Sequence, residues 1–171
     1  MLKKVVWFTG LSGVGKSTIS NELFKKLRKR KYKVLKIDGD VFRKKKKYKK
    51  KFTKKIIYKN NFEIIKKVKS IRNKYDYTLV SVISPLYKTR KYSKNLFKKL
   101  YYEIFLYCSL KTLKKRDTKG LYKKADMKII NNLIGYKSKI SYEKSKYKVL
   151  KIKTDKYSIA KSVSKTLEYI L

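Results

Sequence analysis

Gly10-Leu11-Ser12-Gly13-Val14-Gly15-Lys16-Ser17-Thr18 decides the reading of this chain. It has the spacing of a phosphate-binding loop: glycine, four residues, then Gly-Lys-Ser. The flanks agree. The apolar, β-branched run Val5-Val6-Trp7-Phe8-Thr9 precedes it, and Ile19, Leu23 and Leu27 follow at helical spacing. Strand, glycine loop and helix is the context that makes the motif specific. Of only 6 glycines in the chain, three fall at Gly10, Gly13 and Gly15, so a chance glycine turn is a poor explanation. In such a loop the backbone N–H groups of residues 10–18 turn toward a polyphosphate, and the helix N-terminus adds its positive end. Lys16 reaches the β- and γ-phosphates of ATP, and the Ser17 hydroxyl ligates Mg²⁺.

Outward from that loop the chain alternates strand and helix. A helix is expected from Lys16 to Arg30, and Lys33 to Ile37 reads as a second strand ending in Asp38-Gly39-Asp40. The basic segment Arg43 to Lys51 reads as a loop or the start of a solvated helix. A helix follows from Asn60 to Lys74, then a strand from Tyr77 to Ile83 ending at Ser84-Pro85. The rest reads as a helix Thr89–Leu100, a strand Tyr102–Tyr107, a short helix Leu110–Arg116, a weakly periodic and mobile insertion Asp117–Tyr142, a strand Val149–Ile152 and a closing helix Ser158–Leu171. The fold class is therefore α/β: a P-loop-type parallel sheet of about five strands with helices on both faces, in one domain over residues 1–171.

The chain carries 51 Lys+Arg against 11 Asp+Glu, a net charge of +40. The basic residues are spread along the whole length, which speaks for lysine-rich usage rather than a dedicated nucleic-acid surface. Such a surface still holds RNA non-specifically at low salt. With 42% hydrophobic residues the chain is no disordered polycation. There is no histidine, so a proton acceptor has to be one of the few carboxylates. The single cysteine, Cys108, forms no internal disulfide and suits a reducing cytoplasm. The N-terminal apolar run is too short for a signal sequence or a membrane span.

Ligands of a parallel sheet sit at the carboxyl ends of the strands. The loop, the Asp38-Gly39-Asp40 turn and Ile83-Ser84 all fall there. One of the two aspartates is expected to accept the proton of a substrate hydroxyl, and one, with Asp38 favoured, to help hold Mg²⁺, partly through water. Lys16, Asp38 and Asp40 are the candidate catalytic set.

The stretches Trp7 to Thr18, Asp38-Gly39-Asp40 with Arg43, Phe52, Asn60, Ile83-Ser84-Pro85, Arg116-Asp117 and Lys119 to Ala125 run in the order found in adenylylsulfate (APS) kinases. The chain resembles that family over most of its length. The resemblance implies transfer of the ATP γ-phosphate to the ribose 3′-hydroxyl of a small nucleotide conjugate. It implies that Asp40, Arg43, Phe52, Asn60, Ile83, Ser84, Lys119 and Leu133 surround the acceptor, that Arg116 joins the ATP site, and that a lid spans about residues 113–142. It also implies a homodimer.

Two positions depart from the family pattern. An arginine usual five residues after Phe52 is Ile57 here, and a lid phenylalanine that faces the acceptor's adenine is Leu133. Base–aromatic stacking contributes about 1–3 kcal/mol, so an acceptor with a smaller base is the leading expectation. An APS-kinase-like branch of capsule-forming bacteria phosphorylates cytidine diphosphoramidate on its 3′-hydroxyl, for the phosphoramidate decoration of polysaccharides. That substrate is expected first and APS second. A basic nucleic-acid-binding protein on a P-loop scaffold is a third reading; retention of Lys16, Ser17 and both aspartates speaks against it.

Overall fold

The computed structural model describes residues 3–45 and 53–171. Five strands form one sheet: β1 (Lys4–Thr9), β2 (Val34–Asp38), β3 (Tyr77–Ser81), β4 (Tyr101–Tyr107) and β5 (Leu150–Lys153). Their order is β2-β3-β1-β4-β5, with every pairing parallel. Seven α-helices lie among the described residues: α1 (Lys16–Lys29), α2 (Gly39–Lys45), α3 (Lys54–Ile71), α4 (Tyr87–Phe97), α5 (Leu110–Lys115), α6 (Leu121–Asp126) and α7 (Ile159–Ile170). The expected fold class is the observed one.

Alternation along β1 sorts the core into two layers. Val6 and Phe8 pack with Leu79, Ile104 and Leu106 under Ile19, Leu23 and Leu27 of α1 and Val163, Leu167 and Ile170 of α7. Val5 and Trp7 face the other way, toward Ile64, Ile65 and Val68 of α3 and Phe97 of α4. A central strand covered on both faces has to be apolar throughout, and Val5 to Phe8 are fully buried. Parallel register then brings functional ends together: Ser81 of β3 sits opposite both Phe8 and Asp38.

Most element boundaries shift by one to three residues, and three differences from expectation bear on the site. The third helix starts at Lys54 rather than Asn60, because the Thr53 hydroxyl accepts from Ile56 N at 3.2 Å and caps it, and because Ile57 already belongs to the buried face. The third strand ends at Ser81, two residues early, and residues 82–86 run on as loop. The segment read as a mobile insertion is built into the molecule: it contains α6 and buries Tyr122, Ala125, Leu133, Ile134 and Ile140. Arg43 lies in the last turn of a short helix that ends at Lys45, whereas residues 46–52 of the basic run, Phe52 among them, lie outside the described residues. No described helix is long and apolar enough to cross a membrane.

Candidate active site

The loop between β1 and α1 is shaped by two demanding glycines. A Cβ on Gly10 would lie 2.2 Å from the Leu106 carbonyl oxygen of β4, so only glycine lets the chain leave the sheet here. Gly15 stands at the N-cap of α1 with φ 94°, in the left-handed region. Three consecutive carbonyls of the loop are then held by side chains. The Lys16 ammonium donates to Gly10 O at 3.0 Å and Leu11 O at 2.7 Å. The Tyr122 hydroxyl, from α6, donates to Ser12 O at 3.0 Å. A planar trans peptide points its N–H opposite its C=O, so each bond also aims the next N–H. Burial pushes the Lys16 ammonium down to about 7, with Lys119 adding to the fall and Asp38 opposing it.

At the end of β2, Asp38 is fixed from two sides. Its carboxylate accepts from the Ser17 hydroxyl at 2.6 Å and from Asp40 N at 2.8 Å. Ser17 and Asp38 thus form a pair of hard oxygen donors at the mouth of the loop. That donor set fits Mg²⁺, which takes one or two protein oxygens, substrate phosphates and water. Asp40, the first acidic residue of α2, is paired with Arg43 one turn on and with Lys119 from the loop before α6. The guanidinium of Arg43 is held below its ordinary value, mainly by burial and against the pull of Asp38.

Lys16, Ser17, Asp38, Asp40 and Lys119 line a cavity of about 620 Å³ together with Ile83, Arg116 and Thr154. Arg116 leans on the end of β5, donating to Thr154 Oγ1 at 3.1 Å and to Thr154 O at 2.8 Å. The structure therefore gathers residues 12–18 of the loop, Asp38, Asp40, Ile83, Arg116 and Lys119 around one space, with Gly10 and Leu11 outside the lining and Arg43 paired to Asp40. Three further predicted residues lie apart from the wall. Ser84 is fully buried, and its hydroxyl donates to Asn61 Oδ1 at 2.6 Å. Asn60 is buried with its amide oxygen unpartnered. Leu133 is buried in the same core cluster as Val14, Leu113 and Tyr122.

Sequence reasoning passed over Tyr122 as a site residue, although it stands inside the quoted Lys119-to-Ala125 motif. It also passed over Arg90 and Glu103, which join the Ser84 loop to the segment before β5. The available signal was a glutamate in the middle of the apolar run Tyr101 to Tyr107, since a carboxylate in a doubly covered strand requires a partner.

A parallel sheet, a glycine loop at the end of its central strand, a hydroxyl–carboxylate pair beside it and a second carboxylate between cations define a P-loop phosphotransferase. A gluconokinase from Sinorhizobium meliloti shares this fold at a TM-score of 0.70 and 13% identity, covering 99% of this chain and 92% of its own. Residues 3–153 match the family model described as adenylylsulphate kinase. The chain belongs to the adenylylsulphate kinase family, and ATP and Mg²⁺, expected from the loop, are the cofactors that go with it. It is 34% identical over 169 residues to the adenylyl-sulfate kinase of Halothermothrix orenii, covering 96% of this chain and 88% of that one. The Mycobacterium tuberculosis APS kinase, solved with AMPPNP and APS, superposes with a TM-score of 0.85 at 27% identity, covering 98% of this chain and 96% of that one.

Proposed function

We propose that this protein transfers the γ-phosphate of ATP to the 3′-hydroxyl of adenylyl sulfate, forming 3′-phosphoadenylyl sulfate. The cytidine diphosphoramidate expectation is set aside in favour of its alternative. The Halothermothrix orenii and Mycobacterium tuberculosis relatives are adenylyl-sulfate kinases, and the two departures that motivated the cytidine reading have a packing explanation. Ile57 and Leu133 are 6% and 7% exposed and belong to apolar clusters, not to an altered polar wall.

The observation that carries the proposal is the division of the cavity. Two adjoining groups stand there: Lys16 with the Ser17–Asp38 pair, and Asp40 paired with Arg43 and Lys119. Lys16 and the loop N–H groups bind the donor phosphates, with Arg116 beside them. Ser17 and Asp38 would hold Mg²⁺, which neutralises charge on the β- and γ-phosphates when bound. Asp40 accepts the proton of the 3′-hydroxyl as its oxygen bonds the γ-phosphorus and ADP departs. A base flanked by two cations is a weak base. That suits a loose transition state, in which alignment and neutralisation matter more than nucleophile activation. Arg43 and Lys119 then meet the acceptor's own phosphate and sulfate charges. We further infer that the enzyme is a homodimer working in the reducing cytoplasm, with nucleic acid held only by bulk charge.

The test is a coupled assay of ADP release with Mg²⁺·ATP, run with adenylyl sulfate and, separately, with cytidine diphosphoramidate. Turnover is expected on adenylyl sulfate, with Asp40→Asn lowering kcat by about 10²–10⁴-fold, the usual worth of a positioned base. Turnover on the cytidine compound with silence on adenylyl sulfate overturns the reading. A near-normal kcat for Asp40→Asn moves the proton to Asp38.

A further inference from the structure

Ile57, Leu86, Ile134 and Ile140 come from three separate segments and form one small buried cluster, with Leu11, Tyr58 and Ile83 packed against it. Ile57 belongs to α3, Leu86 precedes α4, and Ile134 with Ile140 belong to the segment between α6 and β5. The last two are presented together for a local reason. Gly135 N donates to Ile140 O at 3.2 Å, which pinches residues 134–140 into a loop with an isoleucine at each side of its neck. Gly135, at φ 74°, also lies where a Cβ would come within 2.4 Å of the Leu11 side chain, so the same neck rests on the phosphate loop. On the opposite side, the Asn61 amide nitrogen donates to Ile57 O at 2.9 Å and Ile83 O at 3.4 Å, tying the anchor to a residue of the cavity wall.

We propose that Ile57 sets how the acceptor is admitted, by anchoring an apolar latch that holds the 134–140 neck closed beside Ile83. Closure over the acceptor side then comes from burial of Ile134 and Ile140 against Ile57 and Leu86. It needs no ionic contact at position 57. The latch rests on the proposed adenylyl sulfate chemistry only where acceptor affinity is concerned; the closure itself is independent of it. A guanidinium at position 57 would have to enter an apolar cluster whose anchor is 6% exposed, and would open the neck rather than gain a ligand. A ligand that binds only the closed form loses affinity in proportion to the fraction of molecules open.

The experiment uses two trypsin sites inside the neck, Lys137 and Lys139, both exposed. Under native conditions Ile57→Ala and Ile134→Ala should each speed cleavage at these two lysines by roughly tenfold, with Ile57→Val restoring most of the protection. Ile57→Arg should behave like Ile57→Ala. In turnover, Ile57→Ala should raise KM for adenylyl sulfate by a similar factor and leave KM for ATP within about twofold. Unchanged cleavage at Lys137 and Lys139, or equal acceleration at every lysine of the chain, overturns the latch. So does Ile57→Arg lowering the acceptor KM. Should the wild type prefer another acceptor, proteolysis still decides the latch, so the two readings fail separately. Should Ile57→Ala not fold, Ile57→Val against wild type gives the same comparison at smaller amplitude.

Discussion

Truncation of Arg90 to alanine should remove much of the stability of this protein. Arg90 is fully buried, and its guanidinium meets Glu103, 2% exposed, through Nε and Oε1 at 3.1 Å. The same nitrogen lies 3.2 Å from Ser145 Oγ, and the two terminal nitrogens donate to the carbonyls of Ser84 and Glu143. The guanidinium also stands 4.8 Å over the Tyr142 ring, whose hydroxyl lies 2.6 Å from Thr9 Oγ1, next to the phosphate loop. Glu103 has further donors in Ser145 at 2.6 Å and Tyr147 at 2.5 Å. Burial, reinforced by Glu103, holds both Tyr101 and Tyr147 well above the ordinary phenol range, so they remain donors at any physiological pH. Breaking a buried pair by deleting one partner costs about 3–5 kcal/mol, because the other charge is left without compensation. Domains have about 5–15 kcal/mol in total. Urea unfolding can be followed through Trp7, the only tryptophan and fully buried. At a slope of about 1–3 kcal/mol per molar urea, the midpoint should fall by roughly 2 M. Arg90→Lys should be nearly as harmful, since one ammonium cannot span Glu103, Ser84 and Glu143 together. A double replacement, Arg90→Met with Glu103→Leu, should recover part of the loss. A shift under about 0.3 M for Arg90→Ala would refute the view that this pair ties the acceptor loop to the segment before β5.

Tyr122→Phe removes the donor to Ser12 O and leaves a buried carbonyl unpaired, at a cost of about 1–3 kcal/mol. Thermal unfolding should fall by several degrees and KM for ATP should rise severalfold; an unchanged ATP KM would separate Tyr122 from phosphate binding. Lys16 makes a pH prediction. Its value is about 7 in the folded chain against 10.5 ordinarily, so between those values the unfolded chain binds the extra proton. Stability from this group is fully present above 10.5 and is lost as pH falls through the window toward 7, so it rises with pH. A polyphosphate favours the ammonium, so ATP binding should take up a proton at pH 7–8, read by calorimetry in buffers of different ionisation enthalpy. No uptake would contradict the neutralised lysine.

What could be read from sequence was what is local. Residues 4–18 carry strand, loop and helix in one contiguous pattern, and their geometry calls for glycine at Gly10, Gly13 and Gly15. Asp38 and Asp40 were legible because acids are scarce in a chain of net charge +40, and they ended a strand. The packing of residues 126–142 was illegible for the opposite reason. Leu133, Ile134 and Ile140 sit in a loop with no helical or strand period, and their partners are elsewhere in the chain. Burial without periodicity has no sequence signature. The Arg90–Glu103 pair joins α4 to β4, and only Glu103, out of place among aromatic and aliphatic neighbours, hinted at it.

The same limit explains why Ile57 and Leu133 pointed toward another acceptor. Read one at a time, each replaces a side chain able to touch a ligand with one that is not. Placed in the fold, each is a core residue: Ile57 faces Leu86, Ile134 and Ile140, and Leu133 joins the cluster under Tyr122. Exchanges of this kind come in sets, because an arginine is tolerated where its neighbours leave it a polar outlet and an isoleucine where they do not. The sequence position says which side chain is absent; only the neighbours show that the residue in its place is packed in apolar surroundings. On the proposed function, acceptor specificity would then rest on Lys119 at the cavity wall and on Arg43 paired to Asp40. Both pair with the carboxylate of Asp40, so on that proposal the proton acceptor and the cations that would grip the acceptor belong to one ion cluster.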